Sequence, residues 1–281
     1  MISEPRLLET PAGRVEWTQF GRGEPVTVFA HGLGQSIEST RPFASGVRGR
    51  RVFFHFRGHG RSEVGAGAWS YGGLAAQLRA VADASGATRA LGVSMGAGAL
   101  CALLAQTPDR FERVILVLPA ALDTPRAGPE TTRADRLAAL LDAGDADALA
   151  RALAQEQAAG PQAAAAVAHW ADAHARWLVG SGAPSARTGT AEAFRRVPRS
   201  APVPDPAVLA RVRAPALVIA QEEDPVHPVE VARELAAALP AARLVVLPPG
   251  GLLWAHRVTL RGLVTEFLAA PSGRDAEGDS S

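Results

Sequence analysis

One serine in this chain stands where covalent chemistry is feasible. In Arg89-Ala-Leu-Gly-Val-Ser-Met-Gly-Ala-Gly98 an apolar run passes through Ser94 into an alanine-rich run, with Gly92 and Gly96 flanking the serine. A serine hydroxyl is a weak nucleophile unless a sharp turn holds it out, with a base on one side and backbone N–H groups on the other. Glycine on both flanks lets the backbones cross closely enough to make such a turn. The same residues also fit an ordinary strand-to-helix loop with Ser94 as N-cap, so the setting must decide between the two.

The setting is a series of four further segments. Val26-Thr-Val-Phe-Ala-His-Gly-Leu-Gly34 ends a β-rich run in His-Gly-x-Gly, and Arg51-Val-Phe-Phe-His-Phe-Arg-Gly-His-Gly-Arg-Ser62 is a second strand running into a glycine turn. Beyond Ser94 come the apolar run Arg113–Leu118 and then Ala216-Leu-Val-Ile-Ala-Gln-Glu-Glu-Asp-Pro-Val-His-Pro228. In this order the segments resemble the α/β-hydrolase family. The resemblance implies a mostly parallel central sheet flanked by helices, with an inserted helical cap. It also implies a serine hydrolase acting on a carboxylic ester or related small acyl substrate. Ser94 would be the nucleophile and Asp224, four residues before Pro228, the acid; the N–H groups of Leu33 and Met95 would hold the oxyanion.

Two positions depart from the family pattern. A histidine is expected near Gly251, where the chain reads Gly250-Gly251-Leu252, and His55 replaces the aspartate usual ahead of Arg-Gly-His-Gly. The base must come from the seven histidines. His256 follows the last strand, whose exit normally presents the base. It lies five residues past Gly251, more than one turn of helix, so the Gly-Gly loop would have to bring it back. Alternatively His256 and Arg257 decorate the exposed start of the last helix. His227 lies three residues after Asp224 on a loop expected to open onto the pocket, and His55 lies at a strand end beside the oxyanion loop. His31 and His59 fall at positions of loop structure, and His169 and His174 on helices of the insertion. The expected set is Ser94, Asp224 and His256, with His227, His55 and His31 as alternative base or pocket residues. Glu222, Glu223 and Asp123 are spare acids. The missing histidine keeps two other readings open: a non-catalytic ligand-binding relative, and a non-hydrolytic enzyme, such as a lyase or cyclase, on the same fold.

The positioning elements follow from periodicity. Arg14–Phe20 alternates as an edge strand, Val26–Ala30 is a buried strand, and Leu74–Ser85 has helical spacing. The βα alternation through Leu118 marks residues 1–119 as the first part of the core. Residues 120–206 contain helices at Arg133–Leu141, Ala146–Gln157 and Gln162–Leu178 and no strand, as a cap over the strand ends would. Trp170, Trp177, Leu178 and Phe194 are expected there mainly as packing residues. Residues 207–270 resume the core, with helices at Val229–Leu239 and about Leu252–Leu268; the Gly/Ser-rich tail 271–281 is expected to be disordered.

Composition narrows the partners. The chain has 281 residues, 47% hydrophobic, with net charge +1 from scattered arginines and no lysine. Without a basic run interleaved with aromatics, nucleic acid is not an expected partner, and the absence of lysine removes Schiff-base chemistry. No Cys/His cluster or dinucleotide fingerprint calls for a metal or organic cofactor. The single cysteine, Cys101, is expected to be buried. With no apolar stretch long enough for a membrane helix and no apolar leader after Met1, the expected location is the cytoplasm.

Overall fold

The computed structural model describes residues 5–270 apart from 11–12, 66, 68, 158 and 181–183; the tail 271–281 thus lies outside the described residues. Eight strands form one sheet: β1 (Arg6–Leu8), β2 (Val15–Phe20), β3 (Val26–Ala30), β4 (Arg50–Phe54), β5 (Arg89–Val93), β6 (Arg113–Val117), β7 (Ala216–Gln221) and β8 (Ala242–Leu247). Their spatial order is β1-β2-β4-β3-β5-β6-β7-β8. Only the β1–β2 and β2–β4 pairs are antiparallel. The alternating segment expected at the edge is therefore the second strand, because Arg6–Leu8 pairs outside it with Arg6 opposite Trp17. Three residues are too few to show a period of two.

The buried strands divide their side chains between two faces. A short helix α1 (Ile37–Thr40) follows β3. In β6, Val114 and Leu116 point to a cluster shared with helices α2 (Tyr71–Ser85), α3 (Met95–Gln106) and α8 (Val229–Ala238). Ile115 and Val117 point to the opposite cluster, with Leu260, Val264 and Leu268 of α9 (Arg257–Ala269). Coverage on both faces accounts for the nearly unbroken apolar runs in these strands. Cys101 is buried on α3, and burial pushes its thiol up to about 12.

Between β6 and β7 the chain forms α4 (Pro129–Ala143), α5 (Ala146–Gln155), α6 (Ala164–Gly180) and α7 (Pro184–Arg196), with no strand among the described residues. Helix α7, not expected from the sequence, carries Thr188-Gly189-Thr190, which breaks its apolar spacing. These helices share an apolar cluster that includes Leu137, Leu141, Leu149, Leu178 and Phe194. They are joined to the loops at the strand C-termini: the His174 Nε2–H donates to Gly34 O at 2.8 Å, and Thr190 Oγ1–H to Gly58 O at 2.5 Å. Strand β3 pairs with β4 on one side and β5 on the other, so the chain reverses direction across the sheet there. A crevice outside the strand ends at such a point is where open α/β sheets bind ligands.

Candidate active site

Ser94 sits between β5 and α3 with φ 51° and ψ −109°, a conformation that costs a non-glycine residue about 1–3 kcal/mol. The turn is held by Ser94 N–H to Val117 O (2.9 Å) and Gly98 N–H to Ser94 O (3.0 Å). A β-carbon on Gly92 would overlap the carbonyl oxygen of Gly96, and one on Gly96 would overlap that of Ala30. The glycine spacing is thus a steric requirement of the crossing. The Ser94 side chain does not cap α3; its hydroxyl lies 2.9 Å from Nε2 of His227.

His227 and Asp224 share the loop that leaves β7. Asp224 Oδ1 accepts from the backbone N–H groups of Val226 (2.8 Å) and His227 (3.0 Å), which folds the loop around the carboxylate. The other oxygen, Oδ2, lies 3.0 Å from His227 Nδ1. Burial acts to raise the Asp224 carboxyl, but the His227 ring and the two amides outweigh it and hold the group below its ordinary value. An ionised Asp224 accepts the Nδ1 proton, so the Nε2 lone pair faces Ser94 and can accept the hydroxyl proton. Glu222, Glu223 and Asp123 are exposed.

His256, expected beside Ser94, lies elsewhere. Its half-buried ring donates from Nε2 to Pro248 O (2.9 Å) and bridges toward Pro249 O (3.2 Å), back along the exit of β8. The altered loop exists as a π-helical turn, Gly251–Ala255, but it brings Trp254 rather than His256 to the vacant position. Gly251 has φ 84°, and a β-carbon there would overlap the Trp254 indole, whose ring meets Trp170 edge-on at 6.2 Å.

The other buried histidines fix the loop after β3. Nε2 of His31 accepts from Phe56 N–H (2.9 Å), that of His55 from Ile37 N–H (3.1 Å) and that of His59 from Gly34 N–H (3.0 Å). The Nδ1–H of His55 donates to Glu16 Oε2 at 2.9 Å, so the imidazole that replaces the usual aspartate is a buried tie with no face on the cavity. Burial drives His31 well below the usual imidazole range and His59 down to about 4.

Gln35 N–H donates to Gly32 O at 3.1 Å, closing a turn that leaves the Leu33 N–H outside its own hydrogen bonds. Gly32 lies against Ser94, a β-carbon there falling 3.6 Å from Ser94 Cβ. Met95 opens α3, and a first-turn N–H has no intrahelical acceptor. These are the two amides expected to hold an oxyanion. Ser94 and His227 open onto a cavity of about 770 Å³ whose wall includes Leu33, Trp170, Trp177 and Phe194. Leu178 packs away from it in the helical cluster. Trp177 stacks on His174 (5.5 Å) and on His55 (5.8 Å). Sequence reasoning missed a polar sector of the wall made by Arg126, Glu130, Arg133 and Glu156, for which no spacing signal exists. Burial pushes the Glu156 carboxyl up to about 7 against the pull of Arg133, Arg126 and Arg136. Among the described residues no group of three or more His, Cys, Asp or Glu could hold a metal ion, and no helix is long and apolar enough to cross a membrane.

A sequence model described as alpha/beta hydrolase fold matches residues 25–252. Among solved structures, the chain is similar to a hydrolase from Pseudomonas aeruginosa PA01, with 25% identity and TM-score 0.76 over 95% of this chain and 99% of that one. It is also similar to the enol-lactonase from Burkholderia xenovorans LB400 (22% identity, TM-score 0.75, 94% and 100% covered). A thermophilic esterase from Thermogutta terrifontis is a third such structure (18% identity, TM-score 0.73, 93% and 97% covered). No curated protein matches the chain.

Proposed function

The chain belongs to the α/β-hydrolase family, and from that premise we propose that it is a serine hydrolase of small carboxylic esters in which His227, rather than a histidine after the last strand, is the base. The observation that carries this reading is the continuous contact from Asp224 Oδ2 through His227 to Ser94 Oγ, at 3.0 and 2.9 Å. The vacancy at Gly251 suggested a non-catalytic relative. An imidazole reaching Ser94 from another loop supports the catalytic reading instead.

In the proposed reaction, His227 Nε2 takes the Ser94 hydroxyl proton as Oγ bonds to the ester carbonyl carbon. The carbonyl electron pair moves onto oxygen, where the Leu33 and Met95 N–H groups stabilise it. Collapse breaks the bond to the alcohol oxygen, which leaves with the proton from His227, and Ser94 is acylated. Water then gives a proton to Nε2 and its oxygen attacks the acyl carbon. The second collapse releases the carboxylic acid, and the proton on Nε2 returns to Ser94. Asp224 stays ionised and stabilises the imidazolium in both half-reactions.

Esterase, lactonase and general hydrolase structures among the similar folds agree with acyl chemistry without selecting a substrate. The test is hydrolysis of a p-nitrophenyl ester series by the wild-type chain and by S94A. Turnover in the wild type that S94A loses supports the proposal; equal rates in both refute it.

A further inference from the structure

An acid and a base on one short loop move together relative to the nucleophile, and this loop is outside the sheet ladder. Its amides are used internally, since Val226 and His227 N–H both donate to Asp224 Oδ1. The carbonyls of Pro225 and Val226 meet two arginines of the helical insertion that line the same cavity. Arg126 Nη2–H donates to Val226 O at 2.7 Å, and Arg133 Nη1–H to Pro225 O at 3.2 Å. Arg126 follows β6 and is anchored by its own N–H to Pro198 O (2.8 Å), while Arg133 lies on α4. Arg126 is half-buried, and no carboxylate of the described residues forms an ion pair with it. The guanidinium stays charged, with the Glu130 and Glu156 carboxylates acting on it through space, and its hydrogen bond goes to a carbonyl next to the base.

We propose that Arg126, assisted by Arg133, is a positioning residue that holds the Asp224–His227 loop in register with Ser94 from the helical insertion. The inference rests on His227 acting as the base. Between Glu222, whose N–H still donates to Leu247 O of β8, and the start of α8 at Val229, the Asp224 turn and these two arginine donors hold the segment that carries His227. Loss of the stronger donor lets acid and base shift as a unit without breaking their mutual bond. Misplacement of about 1 Å costs on the order of 10²-fold in rate.

The test compares R126M, which keeps the apolar stem without donors, with R126K, which restores one charged donor, and with R133M. With a p-nitrophenyl ester, R126M is expected to lower kcat by about 10- to 100-fold with KM changed less than about threefold. R126K should recover most of that loss, and R133M should show a smaller loss. A readout independent of turnover is the Nδ1–H proton resonance of His227, assigned by its disappearance in H227A. It should be sharp in the wild type, broadened in R126M and restored in R126K. If the wild type hydrolyses no ester, the reaction proposed above fails and the resonance alone decides the positioning role. Unchanged kcat together with an unchanged resonance in folded R126M overturns the proposal. A rise in KM confined to anionic esters, with kcat and the resonance preserved, also overturns it and makes Arg126 a substrate contact.

Discussion

His227 spans Asp224 and Ser94, its Nδ1 3.0 Å from the carboxylate and its Nε2 2.9 Å from the hydroxyl, so two of three interacting groups lie three residues apart on one loop. In D224N the side-chain oxygen can still accept from the Val226 and His227 amides, which keeps the loop folded. Its amide nitrogen cannot accept the Nδ1 proton, so the wrong tautomer faces Ser94. D224N is expected to lower kcat by about 10²–10⁴-fold with an almost unchanged melting temperature. Steady-state kinetics beside calorimetry separates this outcome from simple unfolding, which would lower both.

Restoring a histidine at the family position is expected to fail. G251H must place an L-side chain at φ 84° where Trp254 already stands. Strain and overpacking together predict a loss of about 2–4 kcal/mol and no gain in turnover. Denaturant unfolding and ester turnover of G251H check this; faster turnover at full stability would contradict it.

The indoles of Trp170 and Trp177 line the cavity from α6. W170A and W177A are expected to alter the ratio of kcat/KM between long- and short-chain acyl esters by about tenfold, the value of one or two methylene contacts. A uniform loss on every chain length, tracking a lower melting temperature, would mark both residues as packing alone.

Stability is expected to fall in mild acid. Burial holds the folded His59 at about 4 and depresses His31 and His174 as well, whereas unfolded histidines titrate near about 6.5. A depressed folded value means that stability is complete above about 6.5 and is lost as pH falls toward 4; His59 alone accounts for about 3 kcal/mol. Glu156 opposes this: raised by burial to about 7, it contributes stability at low pH that is lost as pH rises through 7. Melting temperatures from pH 7.5 to 4.5 should fall in the wild type and fall more steeply in E156Q. A flat profile between pH 7 and 5 would contradict the assignment of neutral buried rings.

Much of this architecture was legible because its residues act locally. The strand pattern of Val26–Ala30 and Arg113–Val117 and the glycines around Ser94 report a period or a close crossing that any neighbour would require. The family resemblance singled out Asp224 through its distance from Pro228. His227 was visible only as a loop residue near Asp224. Its proposed role rests on an Asp-centred turn that points the ring at a serine 133 positions away, and no periodicity records that. His256 drew attention because it follows β8, but a π-turn and a tryptophan decide which side chain returns to the site. Trp170, Trp177 and Phe194 have the same apolar character in a core as on a cavity wall, so only the arrangement of α4–α7 distinguishes the two.

Activation of Ser94 by His227 is read from the rate of Ser94 modification by a fluorophosphonate, followed by intact mass and peptide mapping. Rapid single labelling at Ser94 is expected in the wild type, with an equal rate, within about twofold, in H256A. In folded H227A the expected rate is lower by about 10²–10⁴-fold. Labelling of H227A at the wild-type rate, or loss of labelling in H256A, would contradict activation by His227.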